Sequence, residues 1–243
     1  MAIDADALQG LRAGDVDVWC VDLAVDAATV AQLAAGLTQD ERARAGRFTS
    51  ERDARRFVVT RSAVRAVLGR YLGVTPRDLA FVYGAHGKPA LDGAHAPLGF
   101  NVSHSGDLAV VAAGWQRAVG VDVEAWRPLP DLVALAARVF APAERAVLEA
   151  LAPIDRPAAF FRCWTRKEAF IKATGQGLAQ PLDGFVVSLG EPARFLDIGG
   201  DAAALDRWTL HDLHPREGYA GALVAERAAR AVVVRAWSAE ADA

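Results

Sequence analysis

The chain is poor in sulfur. Its 243 residues include two cysteines, Cys20 and Cys163, and a single methionine. Two cysteines supply neither a disulfide framework nor the ligand cluster of a structural zinc site. An excess of basic charge is missing too: the net charge is −3 and the pI about 6.0. That argues against a dedicated nucleic-acid binder, whose domain pI is usually above about 9. No run approaches the roughly 20 uncharged apolar residues of a membrane span. The start, Met1-Ala2-Ile3-Asp4-Ala5-Asp6, has neither the basic residues nor the apolar run of a signal peptide. A soluble, reduced, cytoplasmic protein is expected. What the chain has in quantity is apolar residues, 53% against 23% charged, ample for a core and incompatible with a disordered chain. Its length suits one large domain or two small ones.

Val16–Val25 partly alternates and predicts a strand. Over Leu37–Phe48, Thr38 and Glu41 stand at the two positions of a capping box. From Asp53 to Leu72 apolar residues recur at helical spacing, ending at Gly73. Strands are expected at Leu79–Tyr83, Phe100–Ser103 and Leu108–Ala113, the last two around the turn Ser105-Gly106-Asp107. The second half repeats the order: a strand at Val119–Glu124, helix over Leu132–Leu151 broken at Pro142, and helix over Phe160–Thr174 stopping before Gly175 and Gly177. Strands follow at Phe185–Leu189, Trp208–Leu213, Gly221–Val224 and Ala231–Trp237. RRFVVTRSAVRAVLGRYLG and AFFRCWTRKEAFIKATGQGL share their order of aromatic, basic and apolar positions. The expectation is therefore α+β, with two similar halves, 1–116 and 117–243, joined near Gly114–Val119. A cleft between halves is a preferred ligand site.

Several residues could carry chemistry. Asp122 and Glu124 lie two apart in GVDVE, so on a strand both carboxylates project from one face while Val121 and Val123 pack behind. A bound cation is one way to relieve their repulsion, and Mg²⁺ usually takes one or two carboxylates and fills its shell with water and phosphate oxygens. Two solvated acids at a strand end are the ordinary alternative. Glu144, following Pro142 near a helix start, by itself signals only a complement to the helix dipole. Trp164, Glu168 and Lys172 are spaced by four and share a helix face. They form either a surface Glu–Lys pair or a covered site in which a carboxylate acts as base.

Asn101-Val102-Ser103-His104-Ser105 places hydroxyls and an imidazole after a strand. Ser103 lacks the G-x-S-x-G context of a hydrolase nucleophile, and the choice is between a structural turn and a phosphate site. Gly87-Lys88-Pro89 is a lysine on a stiff loop, too short for a Walker-type phosphate loop. Nine arginines, Arg42, Arg44, Arg47, Arg52, Arg55, Arg56, Arg61, Arg65 and Arg70, crowd one stretch. They are either a solvated face or a local positive field for a polyanion or an acidic partner.

Together these signals fit transfer of a phosphate-linked group onto an acceptor supplied by another molecule. A non-catalytic binding module and a Mg²⁺-dependent phosphohydrolase are the rival readings.

The ordered set G-K-P at Gly87–Pro89, N-x-S-H-S at Asn101–Ser105, G-x-D-x-E at Gly120–Glu124 and W-x-x-K-E-x-x-x-K at Trp164–Lys172 resembles the Sfp-type 4′-phosphopantetheinyl transferases, roughly from Leu37 to Phe185. The resemblance implies a pseudo-two-fold monomer with coenzyme A between its halves. It implies transfer of the phosphopantetheine arm to a serine of an apo acyl or peptidyl carrier protein, with release of adenosine 3′,5′-bisphosphate. By position, Asp122, Glu124 and Glu144 match the family's acidic set for Mg²⁺, with Mn²⁺ an alternative. Glu168 matches the general base and Lys172 the lysine near the pyrophosphate, so Asp122, Glu168 and Lys172 form the catalytic set. Lys88, Ser103 and His104 match coenzyme A contacts, the last two near the 3′-phosphate, and Arg56 matches a basic position there. Arg44 and Arg47 are further phosphate contacts on this reading. Exposed arginines and an apolar patch within Val133–Leu151 would receive the carrier protein. Two departures stand out: Glu41 or Arg42 occupies a place where some members have lysine, and Phe57 one where a hydroxyl can occur.

Overall fold

The computed structural model of the protein describes residues 10–239. β1 (Val16–Asp22) leads into three helices, α1 (Ala27–Gly36), α2 (Gln39–Ala45) and α3 (Glu51–Leu72). β2 (Phe81–Tyr83), β3 (Pro89–Leu91), β4 (Leu98–Ser105), β5 (Leu108–Trp115) and β6 (Val119–Ala125) follow. Then come α4 (Leu132–Val139), α5 (Pro142–Ala150) and α6 (Arg156–Thr174). β7 (Phe185–Val187), β8 (Phe195–Ile198), α7 (Ala202–Arg207), β9 (Trp208–Leu213), β10 (Tyr219–Glu226) and β11 (Val232–Trp237) complete the chain.

The sequence rules act visibly at the helix ends. Thr38 Oγ accepts from the Glu41 amide while Glu41 returns a carboxylate to the Thr38 amide, the expected capping box of α2. α3 and α6 both end on a glycine in the left-handed region, Gly73 at φ 66° and Gly175 at φ 71°.

Two sheets carry the fold. One has strand order β11-β1-β5-β4, the other β6-β10-β9, and β2–β3 and β7–β8 are small hairpins. Side-chain alternation sorts the strands into layers. Ala109, Val111 and Ala113 of β5 pack with Val59, Ala63 and Val67 of α3. The opposite face of β5, Leu108, Val110 and Ala112, meets Val119, Val121 and Val123 of β6 and Leu223 of β10. Beyond β10, Ala222 and Val224 pack against Phe170 and Ala173 of α6. The order is helix, sheet, sheet, helix, an α+β arrangement of two like halves back to back.

The C-terminal strand crosses between the halves expected at 1–116 and 117–243. β11 leaves the second half and pairs in parallel with β1, Val16 opposite Val232 and Val21 opposite Trp237. Arg230 and Arg235 secure it there through Asp15 and Asp17, each at 3.0 Å. The helix ahead of β2, the hairpin partners β3 and β8, and the short helices α1 and α7 are elements the periodicity did not mark. Among the described residues no helix is long and apolar enough to cross a membrane.

Candidate active site

β4 and β6 are edge strands of different sheets, and their edges meet. Asn101 Oδ1 accepts from the Val121 amide at 2.9 Å, Ser103 Oγ from Val123 at 3.4 Å, and Ser105 Oγ from Ala125 at 3.1 Å. Side chains from every second residue of β4 thus take the place of the carbonyl ladder. The N-x-S-H-S motif joins the two halves.

On β6 the alternation places Val121 and Val123 in the inter-sheet core and Asp122 and Glu124 on the face toward α6, as expected. Asp122 is buried. Its Oδ1 accepts from Lys172 Nζ at 2.6 Å and from Ser103 Oγ at 2.8 Å, and Lys172 also donates to Ser103 Oγ at 2.8 Å. Burial pushes the Asp122 carboxyl above its usual range, against the pull of Lys172 and Ser103. Glu124 Oε2 accepts from Ser105 Oγ at 2.8 Å and from Arg127 at 3.0 Å.

Glu168, one turn before Lys172, is the third carboxylate here. Burial first, then the charges of Asp122 and Glu124, push it up, with Lys172 opposing. Glu168 and Lys172 line a cavity of about 270 Å³ with Lys88, Pro89 and Asn101. Trp164, on the same face, stacks on Phe160 one turn earlier at 6.1 Å.

Glu144 is not brought to this group. Its side chain is fully buried, with Oε1 at 2.8 Å from both Lys167 Nζ and the Val187 amide, and Oε2 at 2.8 Å from the Ala141 amide. Lys167 also donates to the carbonyls of Leu182 and Phe185 at 2.7 and 2.6 Å. Glu144 and Lys167 brace α5, α6 and β7, and the expectation that Glu144 is a metal ligand is corrected accordingly. Its hydrogen bonds go to Lys167 and to two backbone amides, and none goes to the Asp122 group.

Among the described residues no three His, Cys, Asp or Glu side chains converge as a complete cage. The donor set still fits a divalent cation that keeps water and phosphate oxygens. Asp122 Oδ2 is buried without a hydrogen-bond partner, on a face shared with Glu124 and close to Glu168. Such an orphaned acceptor is costly unless a ligand satisfies it.

The alternation of β4 separates Ser103 from His104. Ser103 turns toward Asp122, whereas His104 lines the opposite cavity, of about 650 Å³, with Arg44, Arg56, Phe48 and Phe57. The two cavities share Gly87, Pro89 and Val102, so they adjoin. Burial, with Lys172 and Arg56 nearby, lowers the His104 pKa below its usual value. Arg56 is held by Asp107 at 2.9 Å, and Arg44 lies over the Phe57 ring at 5.3 Å. Arg47 is exposed beside Arg44 and Phe48 at the outer edge.

The arginine stretch is only partly a free positive field. Arg61 and Arg65 turn inward to buried Glu41 at 2.5 and 2.8 Å. Arg42 and Arg55 donate to the carbonyls of Leu37 and Val25. Lys88 likewise spends its ammonium internally, on the carbonyls of Val119, Lys172 and Ala173 at 3.2, 2.5 and 3.2 Å, and burial lowers its pKa to about 8. Sequence reasoning gave no sign of this, because the acceptors lie on α6 and β6. Ser105 was legible only as part of the N-x-S-H-S turn, and Phe48 and Asp107 gain meaning only once β4 and α3 are placed.

Two family models cover most of the chain. One described as the 4′-phosphopantetheinyl transferase superfamily matches residues 118–224, and one described as 4′-phosphopantetheinyl transferase, N-terminal, matches 26–116. The chain is 38% identical over 217 residues to the 4′-phosphopantetheinyl transferase HetI of Nostoc sp., covering 88% of each chain. It is 33% identical over 156 residues to 4′-phosphopantetheinyl transferase Sfp of Bacillus subtilis, covering 63% of this chain and 66% of that one. A solved structure of Thermotoga maritima holo-acyl-carrier-protein synthase matches at 22% identity with a TM-score of 0.35, covering 45% of this chain and 62% of that one. The two family models together cover both halves and the match to HetI covers 88% of each chain, and on that ground the chain belongs to the 4′-phosphopantetheinyl transferases.

Proposed function

We propose that this transferase moves the 4′-phosphopantetheine arm of coenzyme A to a serine of an apo acyl or peptidyl carrier protein and releases adenosine 3′,5′-bisphosphate. The observation that carries the reading is the meeting of Asp122, Glu124, Glu168 and Lys172 beside a cavity adjoining a basic, aromatic-walled pocket. Coenzyme A would span the halves. The N-terminal half takes the nucleotide end, with Phe48 and Phe57 against the adenine and Arg44, Arg56 and His104 around the 3′-phosphate. The C-terminal half supplies the carboxylates and the catalytic helix. Arg47 contributes charge at the rim. Lys88 supports the site through the α6 carbonyls, and Ser103 through Asp122.

Asp122 and Glu124 would hold Mg²⁺, or Mn²⁺ in its place. When bound, the ion supplies charge neutralisation at the pyrophosphate. Glu168, held partly protonation-prone by burial and like charge, accepts the proton of the carrier serine, a role worth about 10²–10⁴-fold in rate. The serine oxygen forms the new bond to phosphorus. The bond from phosphorus to the bridging oxygen breaks, and the electron pair leaves on adenosine 3′,5′-bisphosphate. Lys172, fixed by Asp122 and Ser103, places its ammonium where that negative charge develops.

Exposed Val133 and Val147, with exposed Arg138, offer α4 and α5 as the face for an acidic carrier. On this reading the enzyme works as a cytoplasmic monomer. The test is intact-mass spectrometry of apo carrier proteins incubated with the protein, coenzyme A and Mg²⁺. A gain of one phosphopantetheine mass supports the reading. Coenzyme A cleavage without carrier, or binding without transfer to carriers from fatty acid, polyketide and peptide assembly, would contradict it.

A further inference from the structure

Ser103 and Ser105 repeat one unit of geometry. Each accepts a backbone N–H from the residue 20 positions on, Val123 or Ala125, and each donates to the carboxylate 19 positions on, Asp122 Oδ1 or Glu124 Oε2, at 2.8 Å. A serine hydroxyl has one proton and two lone pairs. Because a β6 amide points at Ser105 Oγ, its proton is left for Glu124. The same contact that joins the edge strands therefore fixes the direction of a carboxylate. Asn101 forms the first rung to Val121 but touches neither carboxylate through a hydrogen bond. It ties without aiming.

Glu124 has a competing partner. Arg127, exposed and three residues on, donates to the same Oε2 at 3.0 Å. Without the Ser105 hydroxyl, that oxygen would keep only the bond from Arg127, a side chain that is itself exposed and fixes no direction toward Asp122. We infer that Ser105 is a positioning residue that keeps Glu124 turned toward the Asp122 carboxylate, so that edge-strand joining and cation-site geometry are one and the same contact. This rests on the proposed cation site of Asp122 and Glu124. It adds a residue that neither touches substrate nor binds the ion.

The experiment measures Mn²⁺ binding to the free full-length protein, with no coenzyme A or carrier, by loss of the free-ion electron paramagnetic resonance signal. Ser105→Ala should weaken Mn²⁺ about 10–100-fold, the usual effect of removing a group that orients a metal ligand. Ser105→Cys keeps the volume with a weak donor and should fall between, covering the case in which the alanine variant does not fold. Ser105→Thr should restore wild-type affinity. Asn101→Ala removes a rung of the same ladder and should lower the melting temperature while leaving Mn²⁺ affinity within about twofold, since no carboxylate loses its donor. If folded Ser105→Ala or Ser105→Cys binds Mn²⁺ like the wild type, or if Asn101→Ala weakens it as much, the positioning role is refuted and the cation site stands. If the wild type itself holds no Mn²⁺, both fail together.

Discussion

Gly120 of β6 lies directly under the last turns of α6, and the backbone of Ala169 and Ala173 fills the space its side chain would need. A Cβ there would come within 2.8 Å of the Ala173 Cα. The absence of a side chain lets α6 approach β6 closely enough for Lys172 to reach Asp122 at 2.6 Å. The glycine of G-x-D-x-E is thus part of how the carboxylates meet the helix.

Gly120→Ala should push α6 off the sheet. Overpacking of this kind costs about 1–3 kcal/mol, and the contact with backbone leaves little room to relax. Chemical denaturation should show that loss, and transfer activity in the folded fraction should drop further than stability alone explains.

The Glu144–Lys167 pair gives the opposite signature. Both side chains are fully buried, so Glu144→Ala leaves a buried ammonium without its counter-charge. A penalty of about 3–5 kcal/mol is expected, read as a lower denaturation midpoint. Mn²⁺ affinity of the protein that remains folded should match the wild type, because Glu144 supplies nothing to the β6 carboxylates.

Much of the local structure was legible. The period-two pattern of β6 placed Asp122 and Glu124 together, the spacing of four placed Glu168 above Lys172, and Thr38 with Glu41 marked a helix start. Those signals act within one element. What escaped depends on pairing distant segments: β11 returning to β1 across the whole chain, Lys88 reaching α6 carbonyls, and Asn101, Ser103 and Ser105 acting as a ladder to β6. Glu144 shows the distinction sharply. Its position behind Pro142 signalled a helix N-terminus, which is what its bond to the Ala141 amide makes it. Its ion pair with Lys167 lies across two helices and left no local trace.

His104 should make nucleotide binding pH-dependent. In the free protein its pKa lies below the ordinary 6.5, owing to burial and the neighbouring Lys172 and Arg56. A phosphate dianion beside it favours the imidazolium and raises that pKa. The complex then holds more protons than the free protein, so affinity for adenosine 3′,5′-bisphosphate should rise as pH falls between the two values and level off above the higher. Calorimetry across that range should give a steeper slope for the wild type than for His104→Gln. Equal slopes would remove His104 from the phosphate site.

Glu168 should cost stability in the absence of a cation. Its folded-state pKa is raised, mainly by burial and then by Asp122 and Glu124, so above the ordinary carboxylate range the folded protein binds more protons than the unfolded chain. The contribution of Glu168 to stability is then most favourable below the unfolded carboxylate pKa and is lost as pH rises through its folded pKa. Glu168→Gln removes that contribution. Thermal melts in chelator should show the variant more stable than the wild type at neutral pH, with the gap closing toward pH about 4.

The proposed role of Glu168 as the group that frees the carrier serine is tested most directly by intact-mass spectrometry of an apo carrier with coenzyme A and Mg²⁺. Wild type should convert the carrier fully, while folded Glu168→Gln should slow conversion by about 10²–10⁴-fold and keep its affinity for adenosine 3′,5′-bisphosphate. Conversion by Glu168→Gln at the wild-type rate would contradict the account.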